Sequence, residues 1–288
     1  MIPPASFRLD SGADDAYPAG LYAHADTDTG GIDGLASVSD ADVTTFHERG
    51  YLVVRHAFTP EEVASALQGL SDLIAGKRPD FTSLQFENAV RDHIDELTPD
   101  ERLDAIRKIM WFVDYDDRLR AMASHPSMLD VLRRIIGSDE LTMFQDMGLV
   151  KPPRIGREKP WHQDMAYFDL PVDTVVAGVW IALDPVGPEN GCMRMLPGSH
   201  HQGPHVHVRR RDWQICDTDV PRNAAVAVPM QPGDALLFHG LIHHGTPANR
   251  TDRRRRALQF HYRAASAEET SEADRLATYG SEGKNVEC

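Results

Sequence analysis

The chain has 288 residues, of which 41% are hydrophobic, 26% charged and 7% aromatic, a balance that supplies a buried core and excludes disordered and fibrous architectures. Thirty Lys and Arg stand against 44 Asp and Glu, and the net charge of −14 would repel phosphate backbones and anionic lipid, so neither nucleic acid nor a membrane is expected as a partner. No run approaches the ~18 apolar residues of a membrane span, the opening MIPPASFRLD has no basic segment followed by an apolar one, and a cytoplasmic location is expected.

Residues 1–38, rich in Gly, Ala, Asp and Ser without periodicity, read as an irregular N-terminal arm. The remainder, 39–288, reads as a single domain with a helical part over about 39–137, a β-rich core over about 138–265 and a C-terminal tail over 266–288. A first helix starts at Ser39, with Asp40 and Asp42 in its first turn, and stops at Gly50 before the short apolar strand Tyr51 to Val54. Thr59-Pro60-Glu61-Glu62 places a capping hydroxyl before a first-turn proline and a reciprocating Glu. Val63, Leu67, Leu70 and Ile74 then form one apolar stripe that Gly76 closes. Thr98-Pro99-Asp100-Glu101 repeats the device, and a further helix from about Ser127 to Ile136 ends at Gly137. Beyond it the chain turns to short β-rich runs: Leu141 to Val150, Thr174 to Leu183, Cys192 to Leu196, Ala224 to Val228 and Ala235 to His239. Pro, Gly and Asn turns separate them, a spacing that suggests a barrel or jelly roll. The three cysteines, Cys192, Cys216 and Cys288, are odd in number, far apart and expected to be reduced.

The sharpest local feature is Trp161-His162-Gln163-Asp164, because residues i and i+2 of a strand share a face and would aim an imidazole and a carboxylate at one point. A third ligand is available in Leu241-Ile242-His243-His244-Gly245-Thr246. Two histidines and one carboxylate make the facial triad that leaves coordination positions on Fe(II) open for a chelating cosubstrate and oxygen. A cosubstrate with a far carboxylate, such as 2-oxoglutarate, needs a planar cation beyond the metal, and Arg255 lies eleven residues past His244. Thr246, two residues past the same histidine, would share its strand face and add a hydroxyl.

Several segments, in order, resemble the phytanoyl-CoA dioxygenase family of Fe(II)- and 2-oxoglutarate-dependent oxygenases over about Ser39 to Ala265. Pro160-Trp161-His162-Gln163-Asp164 resembles the family's first metal motif. Glu189-Asn190-Gly191-Cys192 and Leu196-Pro197-Gly198-Ser199-His200 resemble its Asn-Gly-Cys and Pro-Gly-Ser-His signatures, and His244-Gly245-Thr246 with Asn249 and Arg255 resembles its C-terminal motif. The resemblance implies a mainly β fold with added helices, built on a double-stranded β-helix, the jelly-roll core of the cupins. It implies Fe(II) on His162, Asp164 and His244, and 2-oxoglutarate and O2 as cosubstrates. Trp180, Met147 and Lys108 match positions of the cosubstrate pocket. Gln145, two residues before Met147, could turn its amide towards substrate.

Adjacent His243 and His244 must face opposite ways on a regular strand, and the family spacing to Thr246, Asn249 and Arg255 selects His244 as the ligand. His239, His200 and His201 read as structural or loop residues, and His205 and His207 as lying on an exposed stretch. Arg209-Arg210-Arg211 and most of Arg253 to Arg256 read as solvated, with Arg255 alone assigned to the cosubstrate. The implied reaction is hydroxylation of an unactivated C–H bond of a small organic molecule, such as a natural-product intermediate, with succinate and CO2 released. Asp164 disfavours halogenation, since the related halogenases carry a small residue there. Two alternatives stand beside it: the same iron chemistry ending in desaturation, epimerisation or ring closure, and a redox-neutral cupin-like isomerase or sensor. An isomerase or sensor has no need of the Arg255 and Thr246 clamp. Substrate identity and oligomeric state carry no motif, and the segments 77–100 and 202–222 are where specificity is expected.

Overall fold

The computed structural model describes residues 16–280. In chain order its elements begin β1 (Asp26–Thr27), β2 (Ile32–Asp33), α1 (Asp40–Arg49), β3 (Tyr51–Arg55), α2 (Pro60–Ile74), β4 (Leu84–Phe86), α3 (Pro99–Leu103), β5 (Ile106–Met110), α4 (Asp117–Ala123) and α5 (Pro126–Ile136). There follow β6 (Leu141–Lys151), β7 (Lys159–His162), β8 (Ala177–Ala182), β9 (Met193–Met195), β10 (His207–Arg209), β11 (Trp213–Ile215), β12 (Val226–Val228), β13 (Ala235–His239), β14 (His244–Thr246), β15 (Arg255–Ala264) and α6 (Glu272–Tyr279). Single-turn 3-10 segments join several of them.

The helix starts follow the capping chemistry. Ser39 with Asp42, Thr59 with Glu62 and Thr98 with Glu101 each form a reciprocal box that satisfies two otherwise orphaned N–H groups. Gly50 at φ 84° and Gly137 at φ 73° end α1 and α5 in the left-handed region that a side chain would strain. The amphipathic faces of α2 and α5 pack with Phe260, Tyr262 and Ile181 in one large apolar layer.

The strands form a sheet of eight in the order β2-β3-β13-β8-β15-β6-β5-β4, and a smaller sheet of five in the order β1-β12-β9-β14-β7. Alternation along β15 decides the layering. Leu258, Phe260 and Tyr262 face the helices, whereas Ala257 packs with Trp180, Leu236, Met193 and Met195 between the sheets. This is the jelly-roll core, open at one end, with helices on the back of the larger sheet.

Three features depart from the sequence reading. The stretch read as helical holds β4 and β5, because Ile106 and Ile109 bury against the layer beneath while the charged residues between them turn away from it. The described part of the arm is not wholly irregular: it holds β1, which pairs with β12, and β2, which pairs with β3, so it supplies an edge strand to each sheet, and Leu21 and Tyr22 are buried. Residues 1–15 of the arm and 281–288 of the tail lie outside the described residues. Cys192 is a buried free thiol, but Cys216 is disulfide-bonded, against the expectation of reduced thiols, and Cys288 lies outside the described residues.

Candidate metal centre and cosubstrate pocket

β7 and β14 pair antiparallel with His162 directly opposite His244, which brings the two rings to 4.2 Å between centroids. His162 ends its strand and Asp164 opens the 3-10 turn that follows, with Gln163 still extended between them, so the carboxylate swings to the same side as the imidazole. Asp164 Oδ1 lies 3.2 Å from His162 Nε2 and 3.7 Å from His244 Nε2, and the three ligand atoms fall within 4.8 Å of one another. Ligands at right angles about 2.1 Å from a shared ion stand about 3 Å apart, so the triad has the spacing of one face of a coordination sphere. The backbone sets the rings: His162 Nδ1 bonds Pro160 O at 2.7 Å and His244 Nδ1 bonds Ile242 O at 3.1 Å, leaving both Nε2 atoms bare and inward.

The electrostatics favour the ligand forms. Burial, followed by the neighbouring His162, pulls His244 down to about 3, which keeps it neutral. Burial alone would raise Asp164, but the facing imidazoles of His244 and His261, with the hydrogen bond that His261 donates, outweigh it and hold the carboxyl well below its usual range. His243 turns away and packs at 5.2 Å from His205, so His244 alone of the adjacent pair meets the triad.

A cavity of about 290 Å³ opens from this triad between the sheets. Register places its walls: on the larger sheet Gln259 of β15 lies between Trp180 of β8 and Met147 of β6, and Met110 of β5 is opposite Met147. Gln145, Lys108, Thr246 and Arg255 line the same cavity, so all nine site residues expected from the sequence meet in one place. The Arg255 guanidinium sits buried over the Trp180 ring, its carbon 5.5 Å from the centroid, and burial pulls it down to about 10. Its Nε and the Thr246 hydroxyl are buried without a hydrogen-bond partner. Buried polar atoms are rarely left so, and a planar cation and a free hydroxyl lining one cavity are groups that a carboxylate would satisfy. The residues present therefore fit both a metal ion and a bidentate acid with a second carboxylate.

The motif residues that do not line the cavity brace it. Ser199 Oγ accepts the His243 N–H at 2.8 Å, pinning the entry to β14. Asn249 Nδ2 donates to Lys151 O, Pro152 O and Arg253 O, closing the loop that carries the chain from Thr246 to Arg255. His200 Nε2 bonds His47 O, and His239 packs on Phe46, in keeping with structural roles.

Two sequence expectations are corrected. His207 is fully buried, with Nε2 accepting the Gln163 N–H at 3.0 Å, because the β10–β11 hairpin folds over the turn after β7. Arg211 is buried too, bound to Glu158 and to both Asp217 oxygens at 2.7 Å, while Arg209 and Arg210 stay exposed. Sequence reasoning also missed Gln259 and His261, which reach Asp164 Oδ2 at 3.2 and 2.7 Å. Counting in twos from Arg255 along β15 would have found them. It missed as well Lys159, whose ammonium joins Tyr167 and Asp212 at the cavity wall.

A family model described as phytanoyl-CoA dioxygenase (PhyH) matches residues 46–257. A probable phytanoyl-CoA dioxygenase from Caenorhabditis elegans is 30% identical over 242 residues, covering 78% of this chain and 76% of that protein. The peroxisomal phytanoyl-CoA dioxygenase of Homo sapiens is 27% identical over 231 residues, covering 76% and 67%. Among solved structures, the non-heme alpha-ketoglutarate-dependent carbocyclase SnoK superposes with a TM-score of 0.66 at 23% identity, over 86% of this chain and 93% of that one. EctD from S. alaskensis, with 2-oxoglutarate and 5-hydroxyectoine, gives 0.62 at 21% identity, over 91% and 83%.

Proposed function

The chain belongs to the phytanoyl-CoA dioxygenase family, whose members are Fe(II)- and 2-oxoglutarate-dependent oxygenases, and we propose that it hydroxylates an unactivated C–H bond of a small organic substrate. The observation that carries this reading is the one cavity that joins the His162, Asp164 and His244 ligand atoms to the buried, partnerless Arg255 Nε and Thr246 hydroxyl. His162, Asp164 and His244 would hold the iron. Arg255 and Thr246 would clamp the far carboxylate of 2-oxoglutarate, with Trp180, Met147 and Lys108 as the walls around it. When bound, the iron supplies the oxidation: 2-oxoglutarate and O2 become succinate and CO2 while one oxygen atom enters the substrate C–H bond.

The protein's own part is positioning. Arg255 and Thr246 fix the cosubstrate from its far end, so that its 2-oxo acid end meets the triad in one orientation. Gln145 on β6 and the Lys159, Tyr167 and Asp212 group line the cavity and would orient the substrate, and Phe168 beside them shields the site from water. Desaturation, epimerisation and ring closure use the same site, and the fold neighbours include a carbocyclase and an epimerase.

The test is anaerobic titration of the Fe(II)-loaded protein with 2-oxoglutarate, followed by turnover under isotopically heavy O2. A visible metal-to-ligand charge-transfer band, then heavy oxygen in the product with equimolar succinate, is expected. A band with no oxygen incorporated moves the outcome to epimerisation, desaturation or cyclisation. Iron binding without the band would sink the oxygenase reading for this cavity.

A further inference from the structure

We propose that Gln259 and His261 are positioning residues that restrict Asp164 to binding the metal through one oxygen, so that the neighbouring coordination position stays open for cosubstrate. The inference rests on the reading of His162, Asp164 and His244 as the metal site.

The two carboxylate oxygens of Asp164 have different surroundings. Oδ1 faces His162 Nε2 and His244 Nε2 at 3.2 and 3.7 Å, so it is the oxygen on the metal side. Oδ2 faces the larger sheet, where the Nε2 atoms of His261 and Gln259 lie at 2.7 and 3.2 Å. A carboxylate only accepts, so His261 carries its proton on Nε2 and donates it, and Gln259 donates from its amide nitrogen. Turning Oδ2 towards the ion would strip both donors of their acceptor inside a closed environment, and such an unmade bond costs far more than a made one gains. The two hydrogen bonds therefore oppose two-oxygen chelation, which would take up a position that the cosubstrate needs.

The surroundings of His261 show that packing alone does not explain it. The ring is wholly buried among Phe144, Phe168 and Phe238, with centroids at 6.1, 5.0 and 6.2 Å. Its Nδ1 is buried with no partner. A phenyl ring would fill the same box without that orphaned nitrogen, so the imidazole is retained for the bond made by its other nitrogen. The aromatic box sets the ring plane, and β15 sets the depth of Gln259, which also lines the cavity.

The decisive variants are His261→Phe, Gln259→Leu and the pair together, with His261→Gln as the rescue that restores an N–H donor. Each is loaded with Co(II) and its visible ligand-field spectrum is recorded before and after 2-oxoglutarate; the cosubstrate affinity is then read from the Fe(II) charge-transfer band. Metal binding is expected to survive. The Co(II) spectrum of the double variant should change before cosubstrate is added, the Kd for 2-oxoglutarate should rise at least tenfold, and His261→Gln should recover most of it. A Co(II) spectrum and a cosubstrate Kd within twofold of the unsubstituted protein, in a variant whose melting temperature shows it folded, would overturn the proposal. Should His261→Phe fail to fold, Gln259→Leu carries the same two readouts with smaller amplitude. Because the Co(II) spectrum is taken without cosubstrate, it judges the positioning role separately. Absence of the charge-transfer band in the unsubstituted protein would instead count against the oxygenase reading.

Discussion

Arg255 lies over the face of Trp180, its guanidinium carbon 5.5 Å from the ring centroid, and neither side chain reaches solvent. The indole stabilises a cation that burial otherwise penalises, and it covers one face of the guanidinium, whose Nη1 donates to Leu149 O while Nε stays unpaired in a cavity that Thr246 also lines.

Arg255→Ala should raise the Kd for 2-oxoglutarate by on the order of 100-fold, equivalent to about 2.7 kcal/mol, the size of a lost charge-assisted pair. Arg255→Lys should recover only part, because an ammonium cannot reproduce the fork. Iron affinity should stay unchanged in both, since Arg255 is not among the three ligand residues. Anaerobic titration of the charge-transfer band measures both quantities, and a Kd within threefold of the original in Arg255→Ala would remove it from the clamp.

The adjacent histidines give a second, sharper contrast. His244→Ala should abolish iron binding and turnover, whereas His243→Ala should change metal affinity by less than about tenfold, because its ring packs on His205 and acts on the site only through β14. Metal analysis after desalting separates the two. Equal loss of iron in both would show that the strand is placed differently from its register with β7.

What the sequence revealed follows from the reach of each interaction. The caps at Ser39, Thr59 and Thr98 and the glycine stops are local, so hydroxyl, carboxylate and φ requirements three residues apart announce them. The triad was legible because strand alternation and a short metal motif act over two residues. Gln259 and His261 were missed although they obey the same alternation, since nothing local to β15 shows that Asp164, almost a hundred residues earlier, lies across from them. The misreading of His207 and Arg211 has the same origin. Their partners Gln163, Glu158 and Asp217 come together only when the β10–β11 hairpin closes over β7, and composition alone made the tract look solvated.

That hairpin carries a stability prediction. Arg211 is buried between Glu158 and Asp217, so Arg211→Ala would remove the cation that bonds both carboxylates, leaving exposed Arg210 at 3.6 Å from Asp217, and should cost about 3–5 kcal/mol. Arg254, paired with partly exposed Asp104, should cost at most about 1 kcal/mol on the same substitution. Urea unfolding of both variants checks the difference; similar midpoints would contradict the buried cluster.

His207 makes stability depend on acidity. Its Nδ1 bonds His205 O and its Nε2 accepts the Gln163 N–H, so the folded ring has no place for a second proton, and burial pulls it down to about 3 from an ordinary 6.5. Above about pH 6.5 the ring is neutral in both states and the full stability is present. Below that, the unfolded chain takes up a proton that the folded chain refuses, and stability falls by about 1.4 kcal/mol per pH unit until the pH nears the folded value. In the metal-free protein His239 and His243, each pulled down to about 4 by burial first, and His244, pulled down to about 3, add slopes of the same sign. His207→Gln, whose side-chain oxygen can still accept the Gln163 N–H, should therefore flatten the acid limb by about 1.4 kcal/mol per pH unit while leaving those slopes in place. Urea unfolding of the metal-free protein between about pH 7 and about pH 4.5 reads this directly, and a difference between the two proteins that does not vary with pH would show that His207 accepts its proton in the folded state.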